Sequence, residues 1–337
     1  MYKDRIALYQ ELEAMRGSKV LVYVTGDRRG LEAQMHPEVL DFVADHLERV
    51  SRPNKISLFL YSRGGNTLAG WSLANLLRQY SQRFEVIVPA KAHSAATLVC
   101  LGAQAIVMTK QATLGPIDPS VNGPLNPRAT GASTGSTVPV SVEDVAGFLD
   151  LARKELGIKD QTQLMALMTK FTDHVHPLSL GKVYRARMQI QQLAEKLLSW
   201  HWIGSAQKKA RLISVLCTES GSHDYTINST EAKDKLGLPV KTASNDLARL
   251  IYKIYVDIRE ELQLLNPFDP VVLLGVNQQV SYSCKQALVE SATGGSHCFV
   301  KEGIVTKNGS STQEGSHQPQ NHVTFHGWRH EEAQLSV

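Results

Sequence analysis

Two short polar turns in the first third of the chain carry the residues best suited to chemistry. The first, at residues 62–66, is Ser-Arg-Gly-Gly-Asn and contains Gly64 and Gly65 directly after an apolar run. Because glycine lets a ligand come close and a helix start adds positive potential, backbone N–H groups at such a turn can converge on an anion. The alternative is an ordinary strand-to-helix turn, since the flanking residues match neither a P-loop nor a dinucleotide-binding fingerprint.

The second turn, at residues 89–97, places a serine where a predicted strand ends and a helix of small residues begins. Its sequence is Pro-Ala-Lys-Ala-His-Ser-Ala-Ala-Thr, with Ser94 at the junction. A serine there presents its hydroxyl at the carboxyl edge of a sheet, beside the N–H of Ala95, and nucleophilic serines share this arrangement on unrelated folds. Ser94 could instead be only a helix N-cap, because serine is favoured in that position. The presence of two such turns favours the nucleophile.

The elements that must position these turns alternate between two hydrophobic periods. Apolar, β-branched runs predict strands at residues 19–25, 56–61, 85–89 and 105–108. Helical spacing predicts helices at residues 37–50, 67–80 and 94–102. Strands that are apolar on both faces and separated by helices indicate an α/β fold with a mostly parallel, buried sheet. A Gly, Pro, Ser and Thr-rich stretch at residues 115–140 predicts a long surface excursion.

The second half of the chain is predicted to be helical as far as residue 265. Ser141 and Asp144 form a capping box that opens the first of these helices. After Pro267, short strands are predicted at residues 280–290, 297–307 and 322–328. The sequence therefore predicts a large domain, residues 1–265, whose part 141–265 is helical, and a small β-rich C-terminal appendage, residues 266–337.

Composition narrows the class of protein. The chain has 337 residues, a formal net charge of +4 and four widely spaced cysteines, which indicate buried thiols in a reducing compartment. The charged amphipathic start contains no secretory signal, and the longest apolar run, residues 95–108, is too short to span a bilayer. We therefore expect a cytoplasmic protein without a membrane anchor. The small positive charge does not by itself support nucleic-acid binding.

Three motifs, in this order, resemble those of a known superfamily. They are Ser-Arg-Gly-Gly-Asn at residues 62–66, Ala-His-Ser-Ala-Ala-Thr at 92–97 and Ala-Thr-Leu-Gly-Pro-Ile-Asp-Pro at 112–119. Together they resemble the serine peptidase superfamily that includes the Clp peptidase and signal peptide peptidase A, and most closely its soluble branch, the serine dehydrogenase proteinases. The resemblance covers residues 19–265. It implies a Clp/crotonase-like fold of stacked β-β-α units.

The same resemblance implies roles for individual residues. Ser94 would be the nucleophile, and the N–H of Gly64 or Gly65 together with that of Ala95 would form the oxyanion hole. A backbone oxyanion hole needs neither a metal nor a cofactor, and we expect neither.

The general base is where the sequence departs from that superfamily. The catalytic histidine of Clp-type peptidases aligns with Ile117, beside Asp118, and the Clp aspartate aligns with Asp224, beside His223. An acid therefore stands next to the histidine position, and a histidine next to the acid position. Our hypothesis is a triad of Ser94, His223 and Asp118, with His223 as base and Asp118 orienting it. This exchange is allowed because geometry and roles define a triad, not chain order.

A lysine is the competing base, as the resemblance to signal peptide peptidase A implies. Such a lysine must be desolvated so that its pKa falls toward neutrality. Lys182 is the first candidate, followed by Lys110 and Lys91, although most lysines are simply solvated. His93 is expected to line the pocket, because in an extended backbone it points away from the neighbouring serine.

The remaining histidines are assigned structural or exposed positions. His174 and His176 lack a suitably spaced cysteine or carboxylate, so structural roles are favoured over metal binding. His322, His326 and His330 recur every four residues, but the glycine, valine and phenylalanine between them predict a strand with exposed side chains. No metal site is expected.

The favoured function is a serine peptidase that cleaves peptide bonds through an acyl-enzyme at Ser94. The alternative is a catalytically inactive or acyl-binding scaffold of the same fold, since the usual histidine is missing and a fold alone does not fix function. Residues 228–248 resemble a helix-turn-helix, but helix pairs around a glycine are common, so nucleic acid is not an expected partner. By resemblance, we expect a homo-oligomer that acts on peptides or unfolded proteins.

Overall fold

The computed structural model describes residues 1–50, 53–117, 120–121, 123–128, 138, 140–219, 222, 224–307 and 319–331. The chain forms two compact units, one of Met1–Leu114 with Asn228–Val337 and the other of Gly115–Ile227. Asp118 and His223, the two proposed partners of Ser94, lie outside the described residues.

The first part of the larger unit alternates helices and strands, as the hydrophobic periods predicted. Its second strand is buried at every residue, because its side chains pack on both faces of the sheet. In chain order the elements are α1 (Tyr2–Arg16), β1 (Lys19–Thr25), α2 (Val39–Arg49), β2 (Ile56–Tyr61), α3 (Thr67–Tyr80), β3 (Phe84–Val88), β4 (Lys91–Ala92), α4 (Ala95–Leu101), β5 (Ala105–Met108) and β6 (Thr113–Leu114).

The smaller unit is mainly helical, in agreement with the prediction for residues after 141. The hydroxyl of Ser141 accepts a hydrogen bond from the Asp144 N–H (3.4 Å) at the start of its first helix. Its elements are β7 (Ser120–Val121), β8 (Val140–Ser141), α5 (Val142–Asp150), α6 (Gln161–Thr172), α7 (Pro177–Ser199) and α8 (Ala206–Ser214), with π-helical turns at Leu151–Glu155 and Val215–Glu219. β9 (Ile227–Asn228) spans the boundary between the two units.

The C-terminal part of the chain returns to the larger unit. A π-helical turn at Glu231–Lys235 precedes β10 (Val240–Thr242), α9 (Asn245–Glu261) and α10 (Pro270–Leu274). Three long strands follow, namely β11 (Gln279–Ser291), β12 (Gly295–Thr306) and β13 (Gln320–Glu331). The last of these carries His322, His326 and His330, so the predicted strand is confirmed.

One eight-stranded sheet organises the larger unit. Its order is β10-β5-β3-β2-β1-β11-β12-β13. The strands from β10 to β1 are parallel, and those from β11 onward are antiparallel. The α/β class and the mostly parallel sheet of the first half are therefore confirmed.

The three C-terminal strands do not form the separate appendage expected for residues 266–337. β11 pairs antiparallel with β1, from Leu21 opposite Ser291 to Thr25 opposite Ala287. The physical reason is that β1 is buried on both faces, so its backbone N–H and C=O groups need a hydrogen-bonded strand on each edge. Residues 279–331 thus continue the main sheet.

One hydrophobic cluster joins the sheet to the helices at its flank. α9 buries Leu247, Leu250, Ile251, Ile254 and Ile258, which recur at helical spacing and form one stripe. The stripe belongs to the same cluster as buried residues of α1, β1 and β2. This packing holds the carboxyl ends of the strands, where the two polar turns lie. Among the helices of the described residues, none has the length and hydropathy needed to cross a membrane.

Three histidines lie together between α2 and the C-terminal strands. His46 Nε2 is 3.0 Å from His297 Nδ1, and the rings of His297 and His330 are 4.4 Å apart. Burial is the main cause that lowers the pKa of His46 to about 3 and that of His297 to about 4, and the positive charge of Arg49 adds to the effect. Both rings are therefore uncharged at neutral pH.

We expect the free energy of unfolding to decline as the pH falls below about 6.5, the ordinary pKa of histidine. The unfolded chain binds protons there, whereas folded His46 and His297 resist protonation down to about pH 3 and 4. Each imidazole contributes at most about 1.4 kcal/mol per pH unit. Denaturant unfolding between pH 7.5 and 4.5 measures how steeply the free energy of unfolding falls with pH.

His46→Asn should make this dependence shallower, whereas the control His36→Asn, which replaces an exposed histidine, should leave it unchanged. If the native protein and both variants show the same dependence, the buried histidines are not its cause.

Candidate active site

Ser94 lies in the sharp turn between β4 and α4. Its backbone has φ 54° and ψ −119°, a conformation that costs a non-glycine residue about 1–3 kcal/mol. Within the described part of the chain, its side chain makes no capping hydrogen bond to α4. The N-cap interpretation therefore does not account for this serine. A strained strand-to-helix turn is instead the geometry that presents a nucleophilic hydroxyl.

The glycine pair forms the turn between β2 and α3. Gly64 has φ 103° and Gly65 has φ 142°, values that other residues rarely adopt. The N–H of Gly64 donates to the Ser62 hydroxyl (2.9 Å), and its carbonyl accepts from the Met35 N–H (2.8 Å). Neither the Gly65 N–H nor the Ala95 N–H has a hydrogen-bond partner among the residues that the structure describes. Of the two glycine candidates, Gly65 therefore retains a free donor.

Direct contacts hold the two turns side by side. The Ser62 N–H donates to the Lys91 carbonyl (3.1 Å), and the His93 N–H donates to the Ser62 carbonyl (3.0 Å). A Cβ atom added to Gly64 would lie 2.6 Å from the Ser94 Cβ atom, so the glycine backbone packs directly on the proposed nucleophile. The arrangement can place two N–H donors near an acyl group attached to Ser94.

The candidate bases have different surroundings. His93 Nε2 is 2.9 Å from the Thr113 hydroxyl, so one of its ring nitrogens is engaged away from a base role. Lys91 Nζ donates to Asp27 (2.7 Å) and is held in an ion pair. Lys110 lines a groove of about 700 Å³ beside α9. Lys182 lies on α7 in the smaller unit, whereas Ser94 lies in the larger one.

The structure gives His176 a structural role, in line with the sequence interpretation. Its Nδ1 accepts a hydrogen bond from the Leu178 N–H (3.1 Å) and caps the start of α7. His174, on the turn before it, is exposed.

Sequence reasoning assigned no role to three polar residues that support the turns, although Ser62 belongs to the first motif. The buried hydroxyls of Thr25 and Ser62 are 2.6 Å apart, and Ser62 in turn holds the Gly64 N–H. Asp27 lies two residues after Thr25, and its carboxylate accepts a hydrogen bond from the hydroxyl of Tyr61, the residue before Ser62. The signal available in the sequence was the run Thr-Gly-Asp at residues 25–27, which begins at the last residue of β1, at the same sheet edge as the glycine pair.

Comparison with known proteins gives two uncharacterized proteins of Methanocaldococcus jannaschii as relatives. One is 29% identical over 201 residues, which is 59% of this chain and 58% of the relative. The other is 22% identical over 258 residues, which is 74% of this chain and 75% of the relative. This chain therefore spans less than two thirds of the first relative.

A solved structure with similarity to this chain is a variant of ClpP1 from Listeria monocytogenes. It is 13% identical, with a TM-score of 0.38, and the match covers 72% of this chain and 99% of that one.

A family model, described as ClpP-like SDH-type serine proteinase, matches residues 38–132. The matched segment contains the glycine pair, the strained turn at Ser94 and the third motif as far as Pro119. The resemblance inferred from the three motifs is thereby confirmed over residues 38–132, which are similar to the ClpP-like SDH-type serine proteinases.

Proposed function

We propose that this protein is a serine peptidase that works through an acyl-enzyme at Ser94. The observation that carries the proposal is the strained backbone of Ser94 beside two N–H groups without partners among the described residues, those of Gly65 and Ala95. Strain of this kind persists where function requires it. The match of residues 38–132 to a serine proteinase family supports the same chemistry.

In the proposed mechanism, the Ser94 Oγ attacks the carbonyl carbon of a peptide bond while a base takes its proton. The negative charge that develops on the carbonyl oxygen is stabilised by the N–H groups of Gly65 and Ala95. The base then gives the proton to the leaving amine, which departs as the acyl-enzyme forms. Water, deprotonated by the same base, releases the acid product and restores the serine.

The base in this proposal is His223, oriented by Asp118, with Lys182 as the competing candidate. His223 is favoured because the ordinary pKa of a histidine lies near neutral pH, whereas a lysine acts as a base there only if strong desolvation lowers its pKa. Peptides or unfolded proteins as substrates, assembly into a homo-oligomer and a cytoplasmic location complete the proposal and stay predictions from the sequence.

Reaction with a fluorophosphonate probe tests the proposal. Such a probe phosphonylates an activated serine, and mass spectrometry identifies the residue that carries the adduct. We expect modification of Ser94 in the native protein and none in Ser94→Ala. If the folded native protein is not modified under conditions that label a reference serine hydrolase, the peptidase proposal is wrong and the acyl-binding alternative gains support.

The same assay assigns the base. His223→Ala and Asp118→Ala should each lower the labelling rate by about 10²–10⁴-fold, the usual contribution of general base catalysis. Lys182→Met should leave it unchanged. Normal labelling in both triad variants together with a loss in Lys182→Met would replace His223 by the lysine.

A further inference from the structure

A single carboxylate links the strand ends that lead into the two turns of the site. Asp27 follows β1 and accepts a hydrogen bond from the Tyr61 hydroxyl on Oδ1 (2.7 Å) and from the Lys91 ammonium on Oδ2 (2.7 Å). Tyr61 is the last residue of β2, three residues before Gly64. Lys91 is the first residue of β4, three residues before Ser94. The two partners of Asp27 therefore lie close along the chain to the two halves of the site, Tyr61 four residues before Gly65 and Lys91 three residues before Ser94.

The surroundings of this carboxylate make the contacts strong. The side chain of Asp27 is 13% exposed and that of Lys91 is 32% exposed, and Tyr61 is buried. The Lys91 ammonium also lies 5.6 Å from the centroid of the Tyr61 ring. In such partly desolvated positions, charge-assisted hydrogen bonds are stronger than neutral ones.

Asp27 is charged in the folded protein. Burial by itself would raise the pKa of Asp27, but the hydrogen bonds from Lys91 and Tyr61 outweigh burial and leave this pKa below its ordinary value. Each oxygen of the carboxylate thus keeps one donor at neutral pH.

We infer that Asp27 is a positioning residue, which through Tyr61 and Lys91 fixes the placement of the Gly65 N–H relative to the Ser94 hydroxyl. This inference rests on the proposed function. It goes beyond that proposal because the carboxylate of Asp27 bonds to the side chains of Tyr61 and Lys91 and is given no step in the proposed mechanism. The carboxylate acts on the backbone of both turns, and the backbone carries the donor and the nucleophile.

The physical reason for a functional effect is the short range of oxyanion stabilisation. A donor acts well only about 2.7–3.1 Å from the developing oxyanion. A displacement on the order of 1 Å can cost about 100-fold in rate. If Asp27 loses its charge, Lys91 loses its ionic partner, and the link between β4 and β2 through this carboxylate is weakened, while the backbone hydrogen bonds of Ser62 remain. Small relative shifts of the two turns follow.

Saturation kinetics of fluorophosphonate labelling of the full chain test the inference. The experiment separates the limiting rate of Ser94 modification from the probe concentration that gives half of that rate. Asp27→Asn removes the charge and keeps an oxygen for Tyr61, whereas Lys91→Met removes the cation. We expect each to lower the limiting rate by about 10- to 100-fold and to change the half-saturating concentration by less than about threefold.

Conservative and control variants isolate the ion pair. Lys91→Arg keeps a charged donor for Asp27, and we expect its limiting rate to be within about threefold of the native value. The double variant Asp27→Asn/Lys91→Met should be no slower than the slower single variant, because both changes break one contact. Lys19→Met, which removes the exposed pair of Lys19 with Glu13 (3.1 Å), should leave the rate unchanged.

The outcomes separate this inference from the proposed function. If native Ser94 is not modified, the proposed function fails and the inference fails with it. If native Ser94 is modified and both Asp27→Asn and Lys91→Met match it in rate, only the inference is overturned. It is also overturned if Lys91→Arg loses as much rate as Lys91→Met, or if every loss of rate is matched by a lower folded fraction in thermal unfolding.

Discussion

Replacement of Ser94 by alanine is expected to lower hydrolysis of an activated ester or peptide by at least about 10⁴-fold, while the fold is retained. The alanine removes the only atom that can form the acyl-enzyme, and the side chain makes no capping bond to α4 whose loss would destabilise the helix. The residual rate would come from oxyanion stabilisation alone. Steady-state hydrolysis together with thermal unfolding measures both quantities. A Ser94→Ala protein that hydrolyses at the native rate would exclude Ser94 as the nucleophile.

Replacement of Ser94 by glycine should distinguish the backbone strain of this position from the chemical role of its hydroxyl. With φ at 54°, Ser94 occupies a conformation that glycine adopts without steric cost, whereas alanine is strained there. We expect Ser94→Gly to be more stable than Ser94→Ala by about 1 kcal/mol, although both are equally inactive. Equal stability of the two variants would show that the turn relaxes and stores no strain.

Gly64→Ala is expected to lower the rate of fluorophosphonate labelling by at least about 100-fold. The new Cβ atom would lie 2.6 Å from the Ser94 Cβ atom and 2.8 Å from the His93 carbonyl oxygen, distances that force the turns apart. The φ of 103° at Gly64 adds backbone strain to this collision. The rate of Ser94 modification, compared at equal folded fraction, measures the effect.

Gly17→Ala is the matched control for that experiment. Gly17 also has a positive φ, 56°, but an added Cβ atom there meets nothing within 4 Å. It should lower stability by about 1 kcal/mol and leave the labelling rate unchanged. If Gly64→Ala behaves like Gly17→Ala, direct packing of the glycine on Ser94 is not important for the site.

Local patterns predicted the first half of the sheet well. β1 and β2 were found because their runs are apolar at nearly every residue, which occurs where a strand is buried on both faces. The position of β11 beside β1 was not found, since no local pattern encodes which distant strand covers an open edge. The separate appendage was therefore expected where the sheet in fact continues.

Some residues of the site could also be predicted from local sequence, whereas others are identified only by contacts in the folded protein. Ser94 and the glycine pair are recognisable from residue types at strand ends. Gly65 rather than Gly64 is identified as the oxyanion donor because the Gly64 N–H donates to the Ser62 hydroxyl. This contact cannot be predicted from the sequence. Asp27 was missed because its two partners are far apart along the chain and meet only in the folded sheet. The roles of His223 and Asp118 stay predictions.

The pairing of β1 with β11 has a consequence for how the chain is made. Leu21 pairs with Ser291, and 270 residues separate the two (291 − 21 = 270). At about 5–20 residues per second, the ribosome needs roughly 14–54 seconds to synthesise that interval. During this time β1, whose residues after Lys19 are all buried in the folded protein, has a strand partner on one side only. Its open edge is then a site for mispairing with other chains, so the growing polypeptide should depend on transient shielding until its last third emerges.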